Sequence, residues 1–155
     1  LGQEAIDLLA RSHVMVVGVG GVGAYAVEML ARSGVGTLTI IDADVVSESN
    51  INRQLPALIS TVGMAKVEVM RRRIADINPE CKVNAIGSFV TTENVGPIID
   101  RFSPDFVIDA IDSVAPKVAL IEHCYRNKIK LIAYTAIEAS VKRILTTILS
   151  ELANN

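Results

Sequence analysis

The chain has 155 residues and a formal net charge of −2; half of its residues are apolar and 21% are charged. This composition is enough to bury one sizeable core, and it excludes a disordered or collagen-like chain. The near-neutral charge argues against a nucleic-acid binder that works through bulk positive charge, although a local basic patch remains open. Only 4% of the residues are aromatic and none is Trp, so we expect an aliphatic core.

Cysteine use and the apolar runs limit the compartment of the protein. Cys81 and Cys124 lie far apart without CxxC spacing, which argues against a zinc site or a disulfide framework and favours buried thiols in a reducing cytoplasm. Residues 1–10 carry acidic side chains, unlike a signal peptide. The longest uncharged run, 12–27, is interrupted by glycines, so no integral membrane span is predicted.

Short apolar runs alternate with longer amphipathic stretches along the chain, a pattern that predicts alternating strands and helices. The predicted strands are 13–17, 37–41, 82–86, 106–110 and 130–134. The predicted helices are 3–10, 22–33, 64–77, 95–102, 114–127 and 136–152, and residues 44–58 are predicted to be irregular. This order predicts an α/β fold, a Rossmann-like doubly wound parallel sheet with helices on both faces. The ligand crevice of such a sheet lies outside the carboxyl ends of its strands.

A glycine-rich turn, GVGGVG at 18–23, follows the first strand and opens a helix. Gly18 is expected to permit the tight turn, Gly20 or Gly21 to let a phosphate approach the backbone, and Gly23 to allow close packing of the helix on the strand. The free N–H groups and the helix dipole favour an anion there. Asp42, which follows the second strand, is expected to accept hydrogen bonds from ribose hydroxyls. These features leave NAD, FAD and ATP open.

A second set of polar residues helps to distinguish a site for a triphosphate from a site for a redox cofactor. Asn50 and Arg53 lie in the polar stretch after the second strand, Lys66 follows a Thr-Val-Gly turn, and Asp112 follows the fourth strand. Arg and Lys can neutralise charge on phosphoryl oxygens, and Asp can hold Mg²⁺. Each residue alone is equally explained as a solvated side chain or a turn cap. Their joint placement at strand ends favours chemistry on a triphosphate over hydride transfer by a nicotinamide dehydrogenase.

Four motifs in the chain resemble those of the ThiF/MoeB/HesA superfamily of ubiquitin-activating-enzyme-like adenylating enzymes. They are GVGGVG at 18–23, DADVVSESNINRQ at 42–54, TVGMAKVEV at 61–69 and DAIDS at 109–113. Within this superfamily, the sequences at 50–81 and 107–131 are most similar to the tRNA threonylcarbamoyladenosine dehydratases.

The resemblance implies ATP and Mg²⁺ as cofactors and assigns roles to individual residues. Asp42 would bind the ATP ribose, Asn50 and Arg53 would contact the phosphates, and Lys66 would stabilise charge on the α-phosphate. Asp112 would hold Mg²⁺. The implied catalytic residues are Arg53, Lys66 and Asp112. The implied nucleotide-binding residues are Gly18, Gly20, Gly21, Gly23, Asp42, Asp44, Asn50, Arg53 and Lys66.

The resemblance also implies a reaction, in which a substrate carboxylate attacks the α-phosphorus of ATP. The implied substrate is tRNA carrying N6-threonylcarbamoyladenosine, which is cyclised with loss of water. Two alternatives stay open: adenylation of the C-terminal Gly-Gly of a ubiquitin-like sulfur-carrier protein, and a non-catalytic nucleotide-binding module. The family further implies a homodimer and a possible sulfur-transfer partner protein. We expect one adenylating nucleotide-binding domain over residues 1–155, with the family's crossover after about residue 134 missing or shortened.

Overall fold

A computed structural model describes residues 2–134, in which the expected strands and helices alternate. The strands are β1 (His13–Val17), β2 (Thr37–Ile41), β3 (Lys82–Ile86), β4 (Phe106–Asp109) and β5 (Lys130–Ala133). The helices are α1 (Gln3–Arg11), α2 (Gly23–Arg32), α3 (Lys66–Ile77), α4 (Val95–Phe102) and α5 (Val114–Arg126). The helix predicted over 136–152 lies outside the described residues.

The five strands form one parallel sheet in the order β3-β2-β1-β4-β5, which confirms the doubly wound fold. After β1 the chain builds outward through β2 and β3, then returns to the other side of β1 with β4 and β5. The direction of winding therefore reverses between β1 and β4. In sheets of this kind, a ligand crevice opens at the carboxyl ends of the two strands that flank this reversal.

Apolar residues on both faces of the sheet form two core clusters. Successive residues of β1 point to opposite faces, so Val16 packs under α2 and α3, whereas Met15 packs under α4 and α5. The buried hydrophobic residues of the described part are aliphatic, methionine or cysteine, as the composition predicted. Helices thus cover both faces, and the carboxyl edge of the sheet stays open. None of the described helices combines the length and apolarity needed to cross a membrane.

The largest difference from the sequence prediction concerns the start of α3, which is Lys66 rather than Met64. Val45 and Ala65 form an isolated antiparallel bridge, and the Lys66 N–H donates to the Asp44 carbonyl over 3.0 Å. This pairing keeps the chain extended until the helix begins. The other predicted ends that differ do so by one residue. The stretch predicted to be irregular contains a short 3₁₀ helix, Glu48–Asn50.

Candidate functional site

A crevice of about 830 Å³ opens at the carboxyl edge of the sheet, beside the strands that flank the reversal. Its walls are the glycine loop (residues 18–23), the polar loop (residues 42–54), the start of α3 and the turn after β4. The predicted site residues that line it are Gly18, Gly20, Gly21, Asp42, Asp44, Asn50, Arg53, Lys66 and Asp112. Ser88, Phe89 and Tyr134 also line it and were not predicted.

Two glycines of the glycine loop are required by its shape. Gly18 has φ +92°, and a Cβ there would lie 2.5 Å from the Ala110 carbonyl oxygen. A Cβ on Gly23 would lie 1.8 Å from the Gly18 carbonyl oxygen. Gly23 is the end of the loop that does not line the crevice; it brings the start of α2 against the turn, as its predicted packing role requires.

The other two glycines of the loop leave open space. A Cβ on Gly20 would have its nearest contact at 3.6 Å, the Gln54 side-chain nitrogen, and a Cβ on Gly21 would have its nearest at 4.0 Å, the Arg53 carbonyl oxygen. Both are ordinary van der Waals distances, so the fold itself does not require glycine at either position. The absence of side chains leaves backbone exposed to the crevice at the start of α2, where the helix dipole favours an anion.

Asp42 connects the glycine loop to the polar loop. Its Oδ2 accepts a hydrogen bond from the Val19 N–H over 2.7 Å, and its Oδ1 accepts one from the Asp44 N–H over 2.8 Å. The carboxylate thus shapes the crevice through the backbone, a role that the sequence did not reveal. Each oxygen keeps lone-pair capacity to accept a hydrogen bond from a ribose hydroxyl, the contact predicted from the sequence.

Lys66 brings a positive charge to the crevice through a buried stem. The residue is 4% exposed, and its Nζ lies 2.9 Å from Asp44 Oδ2. The Asp44 side chain is 58% exposed, so this pair lies at the boundary between the core and the crevice. Because Lys66 is also the first residue of α3, the ammonium group and the helix N-terminus add to the same positive field.

Arg53 is exposed to solvent, whereas hydrogen bonds fix the turn of the polar loop that carries it. Asn50 Oδ1 accepts the Ser47 N–H over 3.1 Å and caps the short 3₁₀ helix. The Arg53 guanidinium donates to the Ser49 carbonyl over 3.0 Å and to Asn52 Oδ1 over 2.8 Å, both through one nitrogen. Because guanidinium has five N–H donors, several remain free to bind an anion.

Gln54 supplies an unsatisfied acceptor next to the glycine loop. Within residues 2–134, its Oε1 is the buried side-chain oxygen or nitrogen that has no hydrogen-bond partner. A buried polar atom without a partner is costly, which is typical of a functional site. The side chain lines the crevice beside Gly20.

Behind the crevice lies a buried ion pair that the sequence did not predict. Lys117 and Asp109 are both fully buried, with Lys117 Nζ 2.7 Å from Asp109 Oδ2. Burial raises the pKa of Asp109, and the hydrogen bond from Lys117 offsets part of that rise. The local sequence carried no signal for this pair, because Lys117 lies on a helix that also carries exposed polar residues.

The structure agrees with the prediction that the two cysteines are buried thiols. Cys124 is buried and Cys81 partly so, and burial raises the pKa of both thiols, that of Cys124 to about 11. Both thiols therefore stay protonated near neutral pH and are poor nucleophiles.

Comparison with known proteins identifies the family. The family model described as "ThiF family" matches residues 1–146. The chain is 53% identical over 131 residues to tRNA threonylcarbamoyladenosine dehydratase of Escherichia coli, covering 84% of this chain and 48% of that protein. It is 38% identical over 136 residues to molybdopterin-synthase adenylyltransferase of Escherichia coli, covering 88% of this chain and 53% of that protein.

A solved structure shows the same fold. The crystal structure of the Escherichia coli tRNA N6-threonylcarbamoyladenosine dehydratase in complex with ATP matches with a TM-score of 0.83 and 52% identity, covering 85% of this chain and 54% of that chain. The chain thus spans about half the length of the relatives it matches. The parallel sheet, the glycine loop and the family match agree with one another, and the chain belongs to the ThiF family.

Proposed function

We propose that this chain is the ATP-binding, adenylating part of a tRNA threonylcarbamoyladenosine dehydratase. The observation that supports this best is the crevice, which gathers Arg53, Lys66 and Asp112 around an open glycine loop. This arrangement occurs in a chain similar over most of its length to a protein named as that dehydratase, whose structure was solved with ATP.

The crevice offers separate groups for the phosphates and for the ribose of ATP. The open backbone at Gly20 and Gly21 suits the phosphates, and Asp42 has acceptor capacity for the ribose hydroxyls. Asn50 and Arg53 supply polar and cationic groups from the polar loop, which lies beside the glycine loop. Lys66 would stabilise charge on the α-phosphate, because its buried stem holds the ammonium at the crevice and Asp44 limits its movement.

The proposed reaction has two steps. A carboxylate oxygen of the threonylcarbamoyl group attacks the α-phosphorus, the bond to the bridging oxygen breaks, and pyrophosphate leaves with that electron pair. The urea nitrogen that joins this group to the adenine (N6) then attacks the activated carbonyl carbon, loses its proton and expels AMP, which closes a hydantoin ring. The carboxylate is already ionised near pH 7, so the first step needs no general base.

Electrostatic repulsion is the main obstacle to the first step, because an anion must approach a polyanion. Arg53 and Lys66 offset this repulsion, and a crevice that orients both reactants removes much of the entropic cost. The intramolecular second step needs no catalytic thiol, in agreement with the raised pKa values of Cys81 and Cys124.

The residues of the crevice fit an Mg²⁺ ion that is bound together with ATP. Within residues 2–134, no group of three or more His, Cys, Asp and Glu side chains could hold a metal alone. Mg²⁺ in nucleotide sites is typically held by one or two carboxylates plus substrate phosphates, and the exposed Asp112 supplies one such carboxylate. Bound there, Mg²⁺ would neutralise phosphate charge.

The proposal includes tRNA as the substrate and the cytoplasm as the compartment, which suits two free cysteines. A homodimer and a sulfur-transfer partner protein remain predictions from the family. Light scattering of the purified protein tests the homodimer.

The test of the proposed function is AMP release from ATP and Mg²⁺. Three reactions are compared: with tRNA carrying threonylcarbamoyladenosine, with a sulfur-carrier protein ending in Gly-Gly, and with neither. We expect AMP and a cyclised nucleoside with the tRNA alone. AMP release with the carrier protein only would replace the proposal with sulfur-carrier adenylation. ATP binding without AMP release in any reaction would favour a non-catalytic nucleotide-binding module.

A further inference from the structure

The buried pair Asp109–Lys117 lies directly behind the crevice. Asp109 is the last residue of β4, and Lys117 lies in the second turn of α5. Neither residue lines the crevice, but each contacts a segment that does. Lys117 Nζ donates to Asp109 Oδ2 over 2.7 Å and to the Tyr134 carbonyl over 2.9 Å, so one ammonium group links the ends of β4 and β5.

The other carboxylate oxygen of Asp109, Oδ1, fixes the turn that carries Asp112. Asp109 Oδ1 accepts the Ile111 N–H over 2.9 Å, and the Asp109 carbonyl accepts the Tyr134 N–H over 2.9 Å. Ser113 precedes α5 but makes no side-chain capping bond. Within residues 2–134, Asp109 is therefore the side chain that hydrogen-bonds to the turn 110–113.

The same turn abuts the glycine loop. The Ala110 N–H donates to the Val17 carbonyl over 2.8 Å, and the Ala110 carbonyl oxygen occupies the space where a Cβ on Gly18 would lie. A displacement of the turn would therefore alter two walls of the crevice together, the one with Asp112 and the one with the glycine loop.

Stability alone is a weak explanation for this pair. Burying two charges carries a desolvation cost, and apolar side chains of similar volume often give equal or greater stability. An ion pair that also hydrogen-bonds to the Ile111 N–H and the Tyr134 carbonyl instead provides direction, because each partner is held at a defined angle. Groups that orient metal-binding residues in this way typically change metal affinity or activity by 10–100-fold when they are removed.

We propose that Asp109 and Lys117 are positioning residues that hold the Asp112 turn and the Tyr134 end of β5 in the geometry that binds ATP together with Mg²⁺. The inference rests on the proposed function, because it uses the role of Asp112 in that site. It extends the site to a layer of charged residues that do not contact the nucleotide.

The test is thermal unfolding of the purified protein with ATP while Mg²⁺ is titrated, compared with ATP plus EDTA. Lys117→Met keeps the length of the side chain and removes its charge. We expect the Mg²⁺ concentration at the midpoint of ATP-dependent stabilisation to rise about tenfold or more. Lys117→Arg, which retains a cation and its donors, should recover part of that loss.

Arg73→Met is the matched control for lost stability. It breaks an ion pair with Glu28 between α2 and α3, and neither residue lines the crevice. Its Mg²⁺ midpoint should equal that of the wild type even though its melting temperature falls. If Lys117→Met does not fold, the double variant Asp109→Asn/Lys117→Met removes both charges without leaving one unpaired, and the same increase in midpoint is expected.

A folded Lys117→Met or double variant with a wild-type Mg²⁺ midpoint would overturn the inference and leave the proposed function standing. A wild-type protein that ATP and Mg²⁺ do not stabilise at all would overturn both. The two failures are therefore distinguished by the wild-type titration.

Discussion

Lys66 Nζ lies 2.9 Å from Asp44 Oδ2, and the two residues differ sharply in exposure: the lysine is 4% exposed, whereas the aspartate side chain is 58% exposed. The buried stem restricts the ammonium to the crevice wall. The exposed carboxylate can turn away or stay bound when an anion arrives. Because the carboxylate faces solvent, the pair holds the Lys66 ammonium in place and still leaves its charge available to an anion.

Lys66→Met should abolish adenylation and preserve the fold. Methionine fills the same buried channel, and the Asp44 carboxylate that loses its partner can be solvated. Loss of one preorganised electrostatic group typically lowers kcat by about 10²–10³-fold. The measurement is AMP formation with saturating tRNA substrate, together with thermal unfolding. Lys82→Met, at an exposed position on an edge strand, is the control, and full turnover by Lys66→Met would refute the assignment.

Arg53→Ala should weaken ATP-dependent adenylation with little effect on stability. The guanidinium is exposed and contacts only its own turn among the described residues, so we expect a stability change within about 0.5 kcal/mol. The expected result is a rise in the KM for ATP, a fall in kcat, or both, amounting to about tenfold or more in kcat/KM. Arg126→Ala, an exposed arginine on α5, should match the wild type. Equal kinetics for the two variants would contradict the role of Arg53.

Two substitutions in the glycine loop should separate folding from nucleotide binding. Gly23→Ala places a Cβ 1.8 Å from the Gly18 carbonyl oxygen, a backbone atom that cannot move freely, so we expect a loss of about 3 kcal/mol or more in stability. Gly20→Ala makes only ordinary contacts and should fold normally.

The prediction for Gly20→Ala concerns ATP rather than stability. If phosphates approach this backbone, the added methyl should raise the Kd for ATP about tenfold, the loss expected for one charged hydrogen bond. Calorimetric titration with ATP and chemical unfolding measure the two effects. A Gly20→Ala protein that binds ATP like the wild type would place the phosphates elsewhere.

The sequence predicted the order of the elements because each strand is a short apolar run bounded by turn residues. The local pattern of glycines also located the glycine loop. The positive φ of Gly18 and the close packing at Gly23 both depend on a residue without a Cβ. The sequence did not predict that α3 begins at Lys66, because the bridge between Val45 and Ala65 is a contact between distant segments. Local periodicity carries no information on such a contact.

The missed part of the site has the same physical origin. Lys117 is buried because the ends of β4 and β5 close over it, which depends on the strand order and not on the helix that carries the residue. Phe89 and Tyr134 line the crevice for the same reason. Phe89 follows β3 and Tyr134 follows β5, so the place of each strand in the sheet decides which wall of the crevice the residue joins. The sequence therefore identified charged residues that lie in motifs. It did not identify residues whose place in the site depends on contacts between distant segments.

Asp112→Asn should weaken Mg²⁺ binding and so raise the Mg²⁺ concentration that the reaction requires. The side chain is exposed at the crevice, so the substitution leaves the fold intact, while an amide is a poorer ligand for a hard cation. We expect the Mg²⁺ concentration for half-maximal AMP formation to rise about tenfold or more. Asp105→Asn, outside the crevice, serves as the control for activity. An unchanged Mg²⁺ requirement would count against Asp112 as the metal-binding carboxylate.

Glu28 should make the stability of the domain depend on acid pH. Hydrogen bonds from Arg73, opposed by burial and reinforced by Arg32, lower the pKa of Glu28 to about 2. The folded pKa is below the unfolded value of about 4.3, so the stabilisation is present above that pH and is lost as the pH falls toward 2. The measurement is the free energy of unfolding in denaturant from about pH 6, above the unfolded pKa, down to about pH 2, the folded pKa.

Glu28→Gln should flatten this dependence. The variant should lose stability near neutral pH, by about 1–2 kcal/mol after allowance for solvent screening, and differ little from the wild type at about pH 2. Glu68→Gln is the matched control, because Glu68 pairs with Arg71 on the exposed face of α3 and should change the curve much less. A Glu28→Gln curve parallel to that of the wild type would show that the contacts between Glu28 and Arg73 do not link α2 to α3 through charge.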